Sequence, residues 1–330
     1  MLHYVRLLCI FFVLLLFVAF TGCDKKTSGP SNGNTQLEID NKKGTIRISG
    51  AWALYPMMVK WGEEYRKINP NVRIDISAGG AGKGIADALA GLTDIGMVSR
   101  DIKQEETRQG AIFVSVVKDA VFPTINKNNP VLNKIINVKG IKKNAFIDLW
   151  INGNAITWGT LADTDSNHKV QVYTRSDSCG AAETWANYLG GKKQEDLKGI
   201  GVYGDPGIAD AIKKDNAGIG YNNLNYAFDT KTGLPVEGIQ VVPVDVNDNG
   251  RVDPEEDIRT KEKAIKAVMS GVYPSPPARD LYLVTKEYFK EPGKSFVKWI
   301  LTDGQKFVDE VGYIKLNNQQ LKKSILNIEK

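Results

Sequence analysis

From residue 44 onward the apolar positions switch between two periods. Residues 45–49 (TIRIS) alternate apolar and polar side chains, which predicts a strand. Pro56 then suits the first position of a helix, and Met57, Trp61, Tyr65 and Ile68 recur at helical spacing. This predicts a helix over 56–67 with an inward apolar stripe, stopped by Asn69-Pro70. A second strand follows over 72–77, a glycine-rich turn over 79–84, a helix over 85–92 and a third strand over 94–99. Strands alternating with helices in so short a stretch predict a parallel sheet covered on both faces. In such sheets ligands settle beyond the carboxyl ends of the strands. The loops at Gly50, Gly79 and Ser99 all fall on that edge.

The pattern is less regular further on. Residues 114–117 and 120–126 are apolar and strand-like, and carry the chain toward a second lobe. Residues 148–150 and 157–159 read as helix and turn pieces within it. Another strand is predicted over 170–174 (VQVYT), followed by Arg175-Ser176-Asp177-Ser178-Cys179-Gly180 and a helix over 181–189. Residues 219–221 and 240–244 read as short strands. Residues 279–285 (RDLYLVT) form a strand near a return crossing, and 296–301 and 304–311 are terminal helices. The expected partition is a first lobe over 44–120, a second over 121–265, and a return to the first over 266–330. No internal repeat is evident.

Composition narrows the chemistry. Of 330 residues, 43 are Lys or Arg and 38 Asp or Glu, a net charge of +5 spread along the chain. No dense basic run with interleaved aromatics occurs, so nucleic acid is not an expected partner. Two histidines, His3 and His168, disfavour mechanisms that need a histidine pair or a Ser-His-Asp triad, and His168 is assigned no role. Three cysteines are too few for a disulfide framework.

At the start of the chain, Arg6 precedes an apolar run over 7–20, too short to span a membrane comfortably. Thr21-Gly22-Cys23 follows. This is similar to a bacterial lipoprotein box, with Phe20 where Leu is usual. The expectation is a signal peptide over 1–22, an acylated (palmitate-bearing) Cys23 as the first mature residue, and a polar tether to residue 43. The protein would then be held to the cell membrane by lipid alone, facing the periplasm or exterior. Cys179 would be its one remaining thiol.

Several of the predicted loops open onto helix N-termini, where unpaired N–H groups and a partial positive charge favour anions. The GGAGKG turn matches neither a P-loop nor a dinucleotide fingerprint. The ordered blocks are more specific. ISGAWALYPMMVKWGEEY, SAGGAGKGIADALAGLTDIGMVSRDIK, YTRSDSCGAAETWANYL, ARDLYLVTK and FVKWILTDGQKFVDEVGYIKL together resemble the substrate-binding lipoproteins of high-affinity phosphate ABC transporters. The resemblance implies an α/β, type II periplasmic-binding-protein fold, two doubly wound lobes joined by a hinge. It also implies an oxyanion, most simply phosphate, buried in the cleft, delivery to an ABC permease, and no catalysis.

Carried over residue by residue, the first loop of the family falls on Ala51, Trp52, Ala53, Leu54 and Tyr55. Its Gly-Ser-Gly turn falls on Ala81 with Gly82, and its acceptor after the third strand on Ser99, followed by Arg100. Its Arg-x-x-x-Ser-Gly-Thr pattern falls on Arg175, Cys179, Gly180 and Ala181, with Asp177 placed to orient Arg175. Where the family presents hydroxyls, this chain has Ala51, Ala53, Leu54, Ala81, Cys179 and Ala181. A buried phosphate oxygen without a donor costs roughly 1–3 kcal/mol. Phosphate held by backbone and arginines, another oxyanion or larger anion against Trp52, and no cleft ligand of this kind all remain open, as does a sensor without transport. Cys179 reads either as a thiol whose pKa Arg175 lowers or as a quiet replacement for serine at a helix start. An Arg175–Asp177 pair reads either as orienting or as an ordinary surface pair.

A separate motif spans 245–256. Asp245, Asn247 and Asn249 take the first, third and fifth places of an EF-hand Ca²⁺ loop. Gly250 is the turn, the Arg251 carbonyl the seventh ligand, Asp253 the ninth and Glu256 the bidentate twelfth. A strand precedes the loop instead of a helix, so the expectation is a structural Ca²⁺ staple. No cofactor for activity and no oligomer are expected.

Overall fold

The chain's computed structural model describes residues 43–329. The expected signal peptide, Cys23 and most of the tether lie outside the described residues. β1 (Gly44–Gly50) alternates as the sequence predicts and buries Ile46 and Ile48. α1 (Tyr55–Ile68) has Pro56 in its first turn and buries Met57, Met58, Trp61 and Tyr65. β2 (Val72–Ala78), α2 (Ala81–Leu89) and β3 (Ile95–Val98) complete two crossovers. β1 pairs parallel with both β2 and β3.

β4 (Ala111–Asn126) is one strand of 16 residues where the sequence suggested two pieces. Polar Lys118 and Asp119 interrupt its apolar run without breaking it, because Lys118 also bridges to Ile314 and Asp119 pairs with Arg279. Beyond it come β5 (Gln171–Arg175), α3 (Gly180–Tyr188), β6 (Ile200–Val202), α4 (Gly204–Lys214), β7 (Gly218–Asn223) and β8 (Ile239–Val241). α5 (Lys261–Ser270), β9 (Ala278–Lys286), α6 (Gly293–Leu301) and α7 (Asn318–Glu329) follow. The sheet order is β2-β1-β3-β9-β4-β7-β5-β6, with β8 also on β4. The outer parts are parallel, as expected, and the central strands β9 and β4 run antiparallel to their neighbours.

Two hydrophobic cores result. The first gathers Ile46, Trp61, Met97, Val117, Leu281 and Phe296. The second gathers Ala120, Phe122, Trp150, Trp158, Trp185, Tyr221, Tyr273 and Ala278. Each buried aromatic or aliphatic side chain contributes about 1.5–3 kcal/mol. Both β4 and β9 pass from one core to the other. On β4 the change falls between Val117 and Ala120, and on β9 between Ala278 and Leu281. The return is therefore later than the expected boundary after residue 265, because α5 buries Ala264 and Ala267 against the second core.

Three helices, α4, α5 and α7, had no clear signal in the sequence. α4 opens with Gly204 and contains Pro206, which reads locally as a turn, yet Ile208 and Ile212 pack it against Ile239. The predicted helix over 304–311 is a 3₁₀ turn, Asp303–Phe307, running into a short α-turn, Val308–Val311.

Candidate anion site between the two cores

α2 starts at Ala81, four residues before its predicted start, so the last four residues of the glycine-rich turn are helix. Gly80 makes the break: its φ of 92° is closed to most L side chains, and a Cβ there would strike the Ser178 carbonyl. The Gly82 N–H donates to the Ser178 oxygen at 3.1 Å, so the N-terminus of α2, on the first core, touches the loop before α3, on the second. Gly180, the first residue of α3, lies so close to Ser99 that any Cβ would overlap its backbone and hydroxyl. The structure thus brings Ala81, Gly82, Ser99, Cys179, Gly180 and Ala181 together at one junction, all buried except Gly82, which is half-buried.

The first loop closes beside it. Ala51, Ala53 and Leu54 are buried, and the Ala51 N–H donates to the Met97 carbonyl at 2.9 Å. Trp52 and Tyr55 are half-buried, their rings 6.3 Å apart. Trp52 reaches the second core's side, edge-on to Tyr203 at 6.3 Å, and its carbonyl accepts from the Tyr226 hydroxyl at 3.4 Å.

Arg175 ends β5 with its side chain fully buried. Its Nε and Nη2 donate to the two oxygens of Asp177 at 2.8 and 2.6 Å, and Nη1 donates to Asp205 at 2.7 Å. This corrects the surface-pair reading: the pair is buried and bidentate, with a second carboxylate on the far nitrogen. Burial works against the charge, but Asp205 and Asp177 outweigh it and hold the guanidinium above its ordinary value. Arg100 does not join this group. It forms a fork with Glu106 at 2.6 and 2.9 Å, beyond the end of β3.

Cys179 caps α3, its Sγ accepting from the Ala182 N–H at 3.4 Å. Burial pushes the thiol up to about 12 despite nearby Arg175, the opposite direction from the lowered-thiol reading. With sulfur in place of a hydroxyl, the side chain serves the helix.

One functional candidate was missed. Asp205 accepts from Asn223 Nδ2 at 2.7 Å, and Asn223 Oδ1 accepts from Arg279 Nη2. Arg279 also donates to Asp119 at 3.2 Å. A second arginine on a crossing strand therefore continues the Arg175 network. The signal was present: Arg279 and Asp119 each stand within an apolar strand pattern, where an unpaired charge is unaffordable. Among the described residues six buried side-chain nitrogens or oxygens lack a partner. Three are donors on Trp52 and Arg279: Trp52 Nε1, and Arg279 Nε and Nη1. A buried donor without an acceptor costs about 1–3 kcal/mol.

The 245–256 loop lies elsewhere in the fold. Asp245 and Glu256 are buried; Asp245 accepts from the N–H groups of Asn249 (3.1 Å) and Gly250 (2.8 Å), and Glu256 from Val246 (2.8 Å). Asp253 accepts from Asn247 at 2.8 Å, Asn249 at 2.7 Å and Arg251 at 3.0 Å. Among the described residues no three His, Cys, Asp or Glu side chains converge as a metal cluster. No described helix is long and apolar enough to cross a membrane.

A family model described as the PBP superfamily domain matches residues 35–304. The chain belongs to the PBP superfamily. The phosphate-binding protein PstS of Staphylococcus haemolyticus is 25% identical over 311 residues, covering 92% of this chain and 90% of that protein. PstS of Methanocaldococcus jannaschii is 26% identical over 340 residues, covering 83% of each. Among solved structures, one from Clostridium perfringens, described as a phosphate ABC transporter substrate-binding protein with bound phosphate, superposes with a TM-score of 0.67. It is 26% identical, and the match covers 83% of this chain and all of that one. Within the superfamily, the two cores joined by β4 and β9 are the two lobes of the type II periplasmic-binding fold.

Proposed function

We propose that this chain is the solute-binding component of an ABC importer, which captures phosphate outside the cytoplasm and presents it to a permease. One observation carries the reading: the N-terminus of α2, in one lobe, touches Ser178 in the loop that opens α3, in the other, and the N-terminus of α3 packs on Ser99. Helix N-termini supply N–H groups and partial positive charge, so losing the family's hydroxyls leaves this part of an anion cage in place. Kinship with the PstS proteins and with the phosphate-bound neighbour supports the choice of anion. The chain acts as a binding protein and not a catalyst. Ligand capture works by closing the lobes about β4 and β9, which excludes water and strengthens each contact.

Two finer readings accompany it. Cys23 carries the lipid that anchors a monomeric protein to the membrane, supported by the Thr-Gly-Cys box after the apolar run. Replacing Cys23 with Ser would then release the protein into the aqueous fraction. The 245–256 loop binds Ca²⁺ as a staple, supported by its ligand spacing.

Calorimetric titration with phosphate, sulfate, molybdate and arsenate tests the main reading. Saturable heat with phosphate is expected, with weaker or no heat from sulfate. No heat with phosphate would overturn it.

A further inference from the structure

The lobes touch through more than their helix starts. Trp52 stands between Ala51 and Ala53, which are both buried in the first core. That loop is held to its own lobe: the Ala51 N–H donates to the Met97 carbonyl at 2.9 Å, and the Ala53 carbonyl accepts from the Tyr313 hydroxyl at 2.5 Å. The Trp52 indole does not join the first core. It crosses to the second lobe and meets the Tyr203 ring edge-on, with centroids 6.3 Å apart and planes at 88°. Gly204, the first residue of α4, lies against the same indole, where a Cβ would stand 3.3 Å from Trp52 Cε2. Tyr226, also of the second lobe, donates its hydroxyl to the Trp52 carbonyl at 3.4 Å. Three second-lobe residues thus meet one first-lobe residue, and the indole Nε1 is enclosed although Trp52 as a whole is only half-buried.

Gly204 connects this contact to the buried arginine. Its N–H donates to Asp177 Oδ1 at 3.0 Å, and the same oxygen accepts from Arg175 Nε at 2.8 Å. Tyr203 itself is 60% exposed and belongs to neither of the two large cores, so the second lobe does not need its ring in order to fold. Separating the lobes would break the ring contact and return the indole to water. Apolar area that is covered only when the lobes are together favours the closed state over the open one.

We propose that Trp52 is a positioning residue for ligand capture: an interlobe latch whose indole docks on Tyr203 and Gly204, holds the lobes closed and slows release of the captured anion without touching it. This rests on the phosphate-capture reading and goes beyond it by naming what sets the residence time.

The test follows release of radiolabelled phosphate from the intact chain after a chase with unlabelled ion, alongside the association rate. Trp52→Ala should speed release about tenfold, because an edge-on aromatic pair and the apolar area around it are lost. Tyr203→Ala, at an exposed position outside the anion loops, should speed release about fivefold and leave association within about twofold, because encounter precedes closure. The double variant should release within about twofold of Trp52→Ala, since both substitutions remove the same contact. Trp52→Phe keeps a ring against Gly204 and drops the unpaired N–H, and should return release to within about threefold of the wild type. The thermal midpoint of Tyr203→Ala without ligand should match the wild type, which separates a latch from a residue that only supports its lobe. Unchanged release in Tyr203→Ala, fully additive effects in the double variant, or a loss confined to association overturns the latch and leaves phosphate capture standing. If the wild type takes up no phosphate, capture falls and the latch with it.

Discussion

Asp119 sits 3.2 Å from Arg279, yet burial outweighs the guanidinium and raises its carboxyl from 3.8 to about 6. The folded protein therefore favours protonated Asp119 relative to the unfolded chain. Its contribution to stability is complete below about pH 4 and is lost as the pH rises through about 6, an effect of roughly 3 kcal/mol at most. Urea unfolding across this window should show that component disappear in Asp119→Asn. An unchanged pH profile in the variant would contradict the assignment. Arg175 makes the opposite case. Its removal by Arg175→Ala strands Asp177 and Asp205 in the interior, and breaking such a buried arrangement costs about 3–5 kcal/mol. The loss should appear as a lower urea midpoint before any ligand is added. The two arginines look alike in sequence and differ only in how fully their surroundings answer their charge.

At the scale of elements, the junction depends on the N-terminus of α3 approaching the loop after β3 without a side chain between them. Gly180→Ala would put a methyl group into Ser99. The lobes would be wedged apart while each core is untouched, so affinity for phosphate should fall by about tenfold or more as the closed state is disfavoured. The thermal midpoint without ligand should change little. Equal affinity in the variant would show that closure does not need this contact. The sequence patterns located β1, α1, β2 and β3 well because their apolar positions face one core at a regular period. They misplaced the start of α2 because Gly82 and Gly84 have poor helix propensity. Gly84 is nevertheless helical, since a Cβ there would collide with the Met97 backbone and only glycine lets the helix settle on the sheet. α4 and α5 were hidden for a similar reason: their burial is set by strands far along the chain.

For the molecule as a whole, β4 and β9 are the strands on which both lobes hang, each changing cores within a few residues. A ligand that binds both lobes should reduce the radius of gyration measured by solution scattering, and phosphate should do so while sulfate does not. The 245–256 loop acts on a different quantity. If Ca²⁺ binds there, adding it after chelation should raise the unfolding temperature by a few degrees, because an ion that binds only the native state stabilises it by mass action. Asp245→Ala should abolish that rise and leave phosphate affinity unchanged. A calcium-independent midpoint would remove the staple.

Local information was enough for the first strands and helices, the loop with calcium-ligand spacing and the resemblance to a family. Each of these depends on residues close together in the chain, so periodicity and spacing report them. The partners of the charges could not be read in that way. Arg279 meets Asp119 across 160 positions and reaches Arg175 through Asn223 and Asp205. Electrostatic energy depends on distance and burial in space, and only the folded chain sets those: it left one arginine saturated and the other with unpaired donors.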